Sequence, residues 1–240
     1  MTEQLLLSHD GLQLLLESEI EPFRPQELSP ALAEQHARLR EAGLLDDRGR
    51  VPEQARPALD TLRKPVVRLE IEAAVGRVGR RWYAAMGDTH AVIVESPSPA
   101  LGPGVSAEQV AGFAEPPPGE FAVRIVERAW TPVAACAWLG VGPRLQRAGE
   151  LDLPGASLQR RLVDPREPVP DGVDPELWAQ PMLLWGLTTD PGGPSLLVLD
   201  AGATGLWAFT ETGERARLTA LPSYEAWRLI LHAITVAYEG

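Results

Sequence analysis

The segment from Pro65 to Ser96, PVVRLEIEAAVGRVGRRWYAAMGDTHAVIVES, constrains the fold more than any other part of the sequence. It predicts three antiparallel strands, because the glycine-containing turns Gly76–Gly79 and Gly87–Asp88 divide hydrophobic runs of strand length. The predicted strands are Val66–Val75, Arg80–Gly87 and His90–Glu95.

The first predicted strand has one apolar and one polar face. Side chains alternate along a strand with a period of two residues. One face therefore carries Val67, Leu69, Ile71 and Ala73, and the other carries Arg68, Glu70 and Glu72. A polar, solvent-exposed face indicates an antiparallel sheet with helices on one side only, or a polar face that is kept free for a partner.

The charge balance argues against a nucleic-acid partner. The 240 residues carry a net charge of −11, and residues 1–64 hold 8 Lys/Arg against 12 Asp/Glu. Binding to a phosphate backbone needs a basic face. A chain of this length can bury a substantial core, as one large domain or two small ones.

The single cysteine, Cys136, fits a reducing compartment, because one cysteine builds neither a disulfide framework nor a zinc site. The opening residues, MTEQLLLSHDG, lack the basic and long apolar regions of a signal peptide. No apolar segment reaches the length of a membrane span. We therefore expect a cytoplasmic protein.

Before the sheet, the sequence predicts an edge strand and three helical segments. Ser29-Pro30 is a strong helix start, since a capping hydroxyl precedes proline at the first helical position, and Gly43 is a helix stop. The predicted elements are a strand at Leu5–Leu7, a short helix at Leu12–Leu16, a helix from Ser29 to Ala42 and a helix from Pro52 to Arg63.

After the sheet, proline and glycine predict a long loop, Ser96–Gly119, with one helical patch at Ala107–Ala114. Alternation predicts a strand at Phe121–Glu127, and Thr131-Pro132 begins a helix that ends near Leu139. The segment Glu150–Gln180 is predicted to be irregular, with a short helix at Ser157–Leu162.

A second meander closes the sequence. Turn residues separate four predicted strands, Pro181–Thr188, Leu196–Asp200, Gly205–Glu211 and Arg215–Leu221. A final helix from Ser223 to Tyr238 has a predicted core-facing stripe of Trp227, Ile230, Leu231, Ile234 and Tyr238. The meanders near 65–95 and 181–211 echo each other, with Trp82 and Trp207 in similar settings, which predicts an α+β fold of two related halves.

We predict three segments from this order. Residues 1–96 form an N-terminal half with helices and a three-stranded meander, 97–180 form a Pro/Gly-rich connection, and 181–240 form a four-stranded meander with the terminal helix.

No catalytic, cofactor-binding or metal-binding motif is present in the sequence. Gly140-Val-Gly142 does not complete a dinucleotide-binding motif, and Gly155-Ala-Ser157 lacks the second glycine of a nucleophile elbow. The histidines at 9, 36, 90 and 232 lie on separate elements. Cys136 lies in the apolar run VAACAW, where a buried structural thiol is favoured over a nucleophile.

The seven tryptophans are assigned by their elements. Trp130, Trp138 and Trp227 are expected in cores. Some of Trp82, Trp178, Trp185 and Trp207 are candidate surface anchors, although core placement is the default for each of them.

A winged-helix interpretation of Ser29–Lys64 and the hairpin that follows remains an alternative. Its candidate recognition helix, from Pro52 to Lys64, carries Glu53 and Asp60 against Arg56, Arg63 and Lys64, which is a poor surface for phosphates.

The element order resembles the EspG family, the secretion-associated cytosolic chaperones of actinobacterial type VII (ESX) systems. The residues that carry the resemblance are LLLSHDGLQLLLES, HARLREAGLLDDRGRV, ALDTLRKPVVRLEI and RRWYAAMGDTHAVIVE, all within residues 5–95. The resemblance implies a mixed fold with pseudo-two-fold halves around a central sheet. It also implies a non-enzymatic role: binding one end of a helical PE–PPE-type secretion substrate and keeping it soluble.

We hypothesise that the first hairpin supplies part of the partner-binding surface, through Arg77, Val78, Arg80, Trp82 and Met86, with a contribution from the turn at Asp190–Gly193. The reasoning is that Val78 is apolar at an exposed turn and is flanked by arginines that can pair with a partner's carboxylates. An enzyme of unrecognised type and a winged-helix regulator are the alternatives.

Overall fold

The structure, a computed structural model, describes residues 5–17, 28–101, 105–111, 121–144, 148–192 and 195–239. These residues form ten strands: β1 Leu5–Leu7, β2 Val67–Val75, β3 Val78–Met86, β4 His90–Glu95, β5 Phe121–Glu127, β6 Glu150–Pro154, β7 Leu183–Asp190, β8 Leu196–Asp200, β9 Leu206–Thr212 and β10 Arg215–Leu221. They also form eight α-helices: α1 His9–Glu17, α2 Pro30–Glu41, α3 Arg56–Arg63, α4 Ala107–Ala111, α5 Thr131–Leu139, α6 Gly155–Val163, α7 Pro175–Trp178 and α8 Ser223–Glu239.

The ten described strands form one antiparallel sheet in the order β1-β5-β4-β3-β2-β7-β8-β9-β10-β6. This order is symmetric about β2 and β7, because β2–β5 form one meander, β7–β10 form the second, and β1 and β6 take corresponding outer places. A helix follows at corresponding points, α5 after β5 and α8 after β10. The predicted α+β fold with two related meanders is confirmed.

Period-two patterning explains the central strands. On β2, Val67, Leu69 and Ile71 are completely buried, while Glu70 and Glu72 are exposed, as the alternation predicts. The next strand begins earlier than predicted, at Val78, because the turn is only Gly76-Arg77 and Gly76 adopts a φ of +61°.

The first compact unit consists of Met1–Arg68, Tyr83–Pro97 and Pro116–Thr131. Its helix α2 begins as predicted, with Ser29 Oγ accepting a hydrogen bond from the Leu32 N–H at 3.4 Å. Gly43, with a φ of +70°, ends it. The buried core of this unit comes from β1, α1–α3, β4, β5 and the loop after α2: Leu7, Leu14, Leu15, Leu39, Leu45, Val51, Ala55, Leu59, Val92, Val94 and Val123.

The second compact unit consists of Leu69–Trp82, Ser98–Glu115 and Pro132–Gly240. One core in this unit is formed where α6 and α7 pack with β6 and β8–β10: Leu153, Leu158, Val173, Leu177, Trp178, Met182, Leu199, Ala201, Trp207, Ala216 and Leu218. The buried Arg161 of α6 donates hydrogen bonds to the carbonyls of Trp178 at 2.8 Å and Gln180 at 2.6 Å. These bonds satisfy carbonyls at the end of α7.

Several predictions for the second half need correction. The segment predicted to be irregular contains a strand, β6, which pairs with β10 from Glu150 opposite Thr219 to Pro154 opposite Arg215. The predicted helical patch is present as α4 up to Ala111, and the rest of that patch lies outside the described residues. Trp82 lies on β3 and Trp207 on β9, so the two are not equivalent in the symmetric order.

The final helix buries a different face from the one predicted. The buried residues of α8 are Ala226, Ile230, Ala233, Ile234 and Ala237. Trp227 and Leu231, assigned to the core stripe from the sequence, are 40% and 37% exposed. Core placement, the default for every tryptophan, is confirmed for Trp82, Trp178, Trp185 and Trp207, which are buried, and is wrong for Trp130, which is 58% exposed. Trp138 is buried as expected.

The winged-helix interpretation does not fit this topology. The strand after α3 is β2, which lies in the middle of the ten-stranded sheet and is not part of a separate two-stranded wing. The division into segments 1–96, 97–180 and 181–240 stays a prediction. No helix within the described ranges is long and apolar enough to cross a membrane.

Candidate functional site

The exposed face of the β2–β3 hairpin is the candidate site. Since β2 ends at Val75 and β3 begins at Val78, antiparallel pairing across the two-residue turn places Glu72 opposite Arg81. Their side chains form a salt bridge of 2.9 Å between Arg81 Nη2 and Glu72 Oε1, with 71% and 61% of the two side chains exposed. This geometry fixes which side chains of both strands share the polar, solvent-exposed face.

We call this surface, within the second unit, the hairpin face: Glu70, Glu72, Ala74, Gly79 and Arg81. Ala74 and Gly79 lie opposite each other near the turn and are both exposed, and a Cβ added at Gly79 would meet nothing within 4 Å. Small residues there let another backbone approach closely. The charged pair farther from the turn supplies both a donor and an acceptor to an approaching protein.

The Glu72–Arg81 ion pair lies at the surface of the hairpin face. An ion pair this exposed contributes about 0–1 kcal/mol to stability. Breaking this ion pair to contact a second protein would therefore cost the fold little. The hairpin face is built for polar contact, in contrast to the opposite face of β2, which is buried.

Three of the hypothesised partner-binding residues lie on the buried face of β3. Val78 is 5% exposed, and Trp82 and Met86 are completely buried. The premise that Val78 is an exposed apolar residue is therefore wrong. Side chains alternate between the two faces of a strand, and the first residue of β3, Val78, faces inward. The other even-numbered positions of β3 therefore face inward too.

The two hypothesised arginines remain accessible to different degrees. Arg77 is exposed in the turn. Arg80 is half-buried on the inward-facing parity of β3, and burial lowers the pKa of its guanidinium. Whether any of the five residues contacts a partner stays a prediction. Of the turn Asp190–Gly193, residues 190–192 are described and Gly193 lies outside the described residues.

Sequence reasoning missed Arg81. The signal was available, because Glu72 and Arg81 are equally distant from the centre of the Gly76-Arg77 turn and carry opposite charges. The predicted start of the second strand at Arg80 concealed it.

The lone thiol is structural. Cys136 is buried in α5, and burial raises its pKa to about 11. The thiolate is the reactive form of cysteine, so this group is poorly suited to nucleophilic attack near neutral pH. Within the described parts of the chain, no three His, Cys, Asp or Glu side chains lie close enough to hold a metal ion.

An open cleft of about 820 Å³ lies in the second unit. Its charged and amide-bearing lining residues are Glu108, Arg144 and Gln180, and glycine, proline and small or apolar side chains line most of the rest. Arg144 already donates hydrogen bonds to Asp200 and to the carbonyls of Gly140 and Gly202. Its guanidinium therefore acts mainly as a structural connection within the cleft wall.

Comparison with known proteins gives a structural likeness only. No protein-family model matches the sequence, and no curated protein matches it. The fold is similar to that of EspG5. One matching structure is that of the Mycobacterium tuberculosis type VII secretion system chaperone EspG5 in complex with a PE25–PPE41 dimer. The likeness covers 97% of this chain and 96% of the matched chain, with 12% sequence identity and a TM-score of 0.54.

The likeness to EspG5 extends over nearly the full length of both chains, so it concerns the whole ten-stranded architecture. At 12% identity it establishes the fold and does not transfer residue roles.

Proposed function

We propose that this protein is a cytosolic, non-enzymatic chaperone that binds one end of a helical PE–PPE-type pair of a type VII secretion system and keeps it soluble for export. The observation that carries the proposal is the full-length likeness in fold to EspG5, whose structure was determined with a PE25–PPE41 dimer bound. Binding is assigned to the hairpin face together with Arg77.

The chemistry of the hairpin face supports a protein partner. It offers a carboxylate row, Glu70 and Glu72, beside the guanidinium of Arg81, and small residues toward the turn. Charged and polar groups across an interface set orientation and specificity more than raw affinity. The hairpin face alone is smaller than a standard interface of about 1,600 Å² in total, so it forms the polar part of a larger contact area.

A charge reversal tests the assignment. The variants Arg81→Glu and Glu72→Lys are compared with the native chain for binding to a PE–PPE-type heterodimer from the same organism, measured by calorimetry. Each reversal replaces a charge that complements the partner's surface by one of the opposite sign, and we expect this to weaken binding by at least about tenfold. Because the native pair is exposed, the thermal stability of the variants should change little.

Arg215→Glu is the matched control. Arg215 is also exposed on a strand and also paired, with Asp152 at 3.0 Å, but β10 lies four strands along the sheet from β2. At about 4.8 Å per strand this separates the two sites by roughly 19 Å. If Arg81→Glu and Arg215→Glu weaken binding equally, the effect comes from the change in net charge and not from the hairpin face. Unchanged binding by both hairpin variants would remove the hairpin face from the proposal.

A further inference from the structure

The outward side of α8 carries an apolar stripe between exposed polar residues, although its inward face already fills a core. Ala226, Ile230 and Ala233 are buried, whereas Tyr224, Trp227 and Leu231 are 63%, 40% and 37% exposed. Neighbouring exposed apolar side chains on a helix whose other face is already packed mark a candidate contact surface. Two of these exposed side chains are large aromatics, which are enriched at protein interfaces.

The outward residues have the spacing of a helix–helix seam. Tyr224, Leu231 and Tyr238 are seven residues apart, and Trp227 lies between the first two at the position that completes an a/d pattern. Tyr238 is half-buried at the end of the seam. We call these four residues the α8 seam. The helix has 17 residues and is therefore about 25 Å long.

We propose that the α8 seam pairs with the same seam of a second copy of this chain, antiparallel about a two-fold axis at Leu231. A two-fold interface must be self-complementary. With Leu231 on the axis, Tyr224 faces Tyr238 of the second copy and Trp227 faces Thr235 of the second copy. Tyrosine rings meet at the outer levels, the Trp227 ring meets the methyl-bearing side chain of Thr235, and no two charges of like sign are opposed.

The charge of the seam also fits a second copy. Two chains with a net charge of −11 each repel one another, so an interface between them needs a neutral patch. The seam contains no Asp, Glu, Lys or Arg side chain. Of the charges beside them, Glu225 and Arg228 neutralise each other through a 3.1 Å ion pair on the same helix, and Glu239 lies at the end of the seam.

The exposed area sets the strength of the association. The three exposed side chains from each copy bury on the order of 600 Å², against about 1,200 Å² at the lower end of stable interfaces. The dimer is therefore weak and reversible, with a dissociation constant in the micromolar range or above. This association does not depend on the proposed secretion substrate.

Sedimentation velocity of the full chain tests the pairing. We expect the weight-average mass to rise from monomer toward dimer between about 5 and 500 µM. Leu231→Glu and Leu231→Lys each place two like charges on the axis, and each should raise the dissociation constant at least tenfold. An equimolar mixture of the two variants places Glu against Lys and should restore association.

Leu197→Glu is the control, since Leu197 on β8 is 36% exposed, close to the 37% of Leu231. Far-ultraviolet circular dichroism confirms that each variant is folded. A native chain that remains monomeric over the whole range would overturn the proposal. The proposal would also be overturned if Leu231→Glu still associated, or if the mixture of the two variants stayed monomeric. It would equally be overturned if seam variants lost PE–PPE binding but kept their self-association.

Discussion

Arg144 donates a hydrogen bond from Nη1 to Oδ1 of Asp200, a carboxylate whose side chain is 1% exposed. The N–H of Gly202 donates to the same oxygen at 3.0 Å, and Arg144 Nη2 donates to the carbonyl of Gly140 at 2.9 Å. The pair thereby joins the chain leaving α5 to the end of β8. Burial raises the pKa of Asp200 to about 6, in spite of the opposing effect of Arg144.

Removing the arginine should destabilise the fold strongly. Arg144→Met leaves Asp200 buried without its counter-ion, and we expect the free energy of unfolding at pH 7 to fall by about 3 kcal/mol. Urea denaturation measures this loss. The control is Arg166→Met, because Arg166 is 88% exposed in its pair with Asp164, and its loss should stay within about 0.5 kcal/mol. Equal losses in the two variants would contradict a structural role for the buried pair.

Asp200 should also make stability depend on pH. Its pKa is about 6 in the folded chain and near 3.8 as a free group, so the folded state binds a proton first as the pH falls. Asp200 therefore adds on the order of 3 kcal/mol to the free energy of unfolding below about pH 4, and this contribution is lost as the pH rises through 6. Comparing the native chain with Asp200→Asn between pH 4 and 8 isolates this group. As the pH falls, the unfolding free energy of the native chain should rise relative to that of Asp200→Asn. A difference that does not depend on pH would contradict this expectation.

Gly43 is required at the end of α2. Its φ of +70° is costly for any residue with a Cβ, and its N–H bonds to the carbonyl of Arg40 at 2.9 Å. We expect Gly43→Ala to lower the midpoint of thermal unfolding, at a cost of about 1 kcal/mol. Gly142→Ala is the control. An added Cβ would have open space within 4 Å at both Gly43 and Gly142, but Gly142 does not have a positive φ. It should be neutral or slightly stabilising.

Val78 should behave as a core residue. Val78→Asp places a carboxylate at a position that is 5% exposed, and we expect a loss of about 3 kcal/mol in unfolding free energy. Arg77→Asp, one residue earlier in the exposed turn, should change stability by no more than about 0.5 kcal/mol. A Val78→Asp variant with native stability would show that the side chain is accessible, as the sequence had suggested.

The sequence predicted best where one pattern had only one interpretation. Val67, Leu69 and Ile71 alternate with charged residues, so a single strand register satisfies the core, and the structure adopts it. Ser29-Pro30 and Gly43 likewise bound α2 through local chemistry alone. Such signals do not depend on what packs against them.

Prediction failed where two patterns competed. In α8 the large residues Trp227 and Leu231 indicated one core face, but the small residues Ala226 and Ala233 make the buried one, because the helix packs closely on the sheet. Strand β6 is five residues long, and among the described strands it pairs only with β10, 61 or more residues later in the chain. No local pattern reports such a distant pairing. Arg81 was missed for a related reason, since its face depends on the length of the turn.

The mass of the complex formed with a secretion substrate tests the central claim most directly. The chain is co-expressed with each PE–PPE-type heterodimer of its own organism, and the purified material is analysed by native mass spectrometry. The proposed function predicts a complex that contains this chain and one PE–PPE pair. Heterodimers that all separate from a folded chain would contradict it.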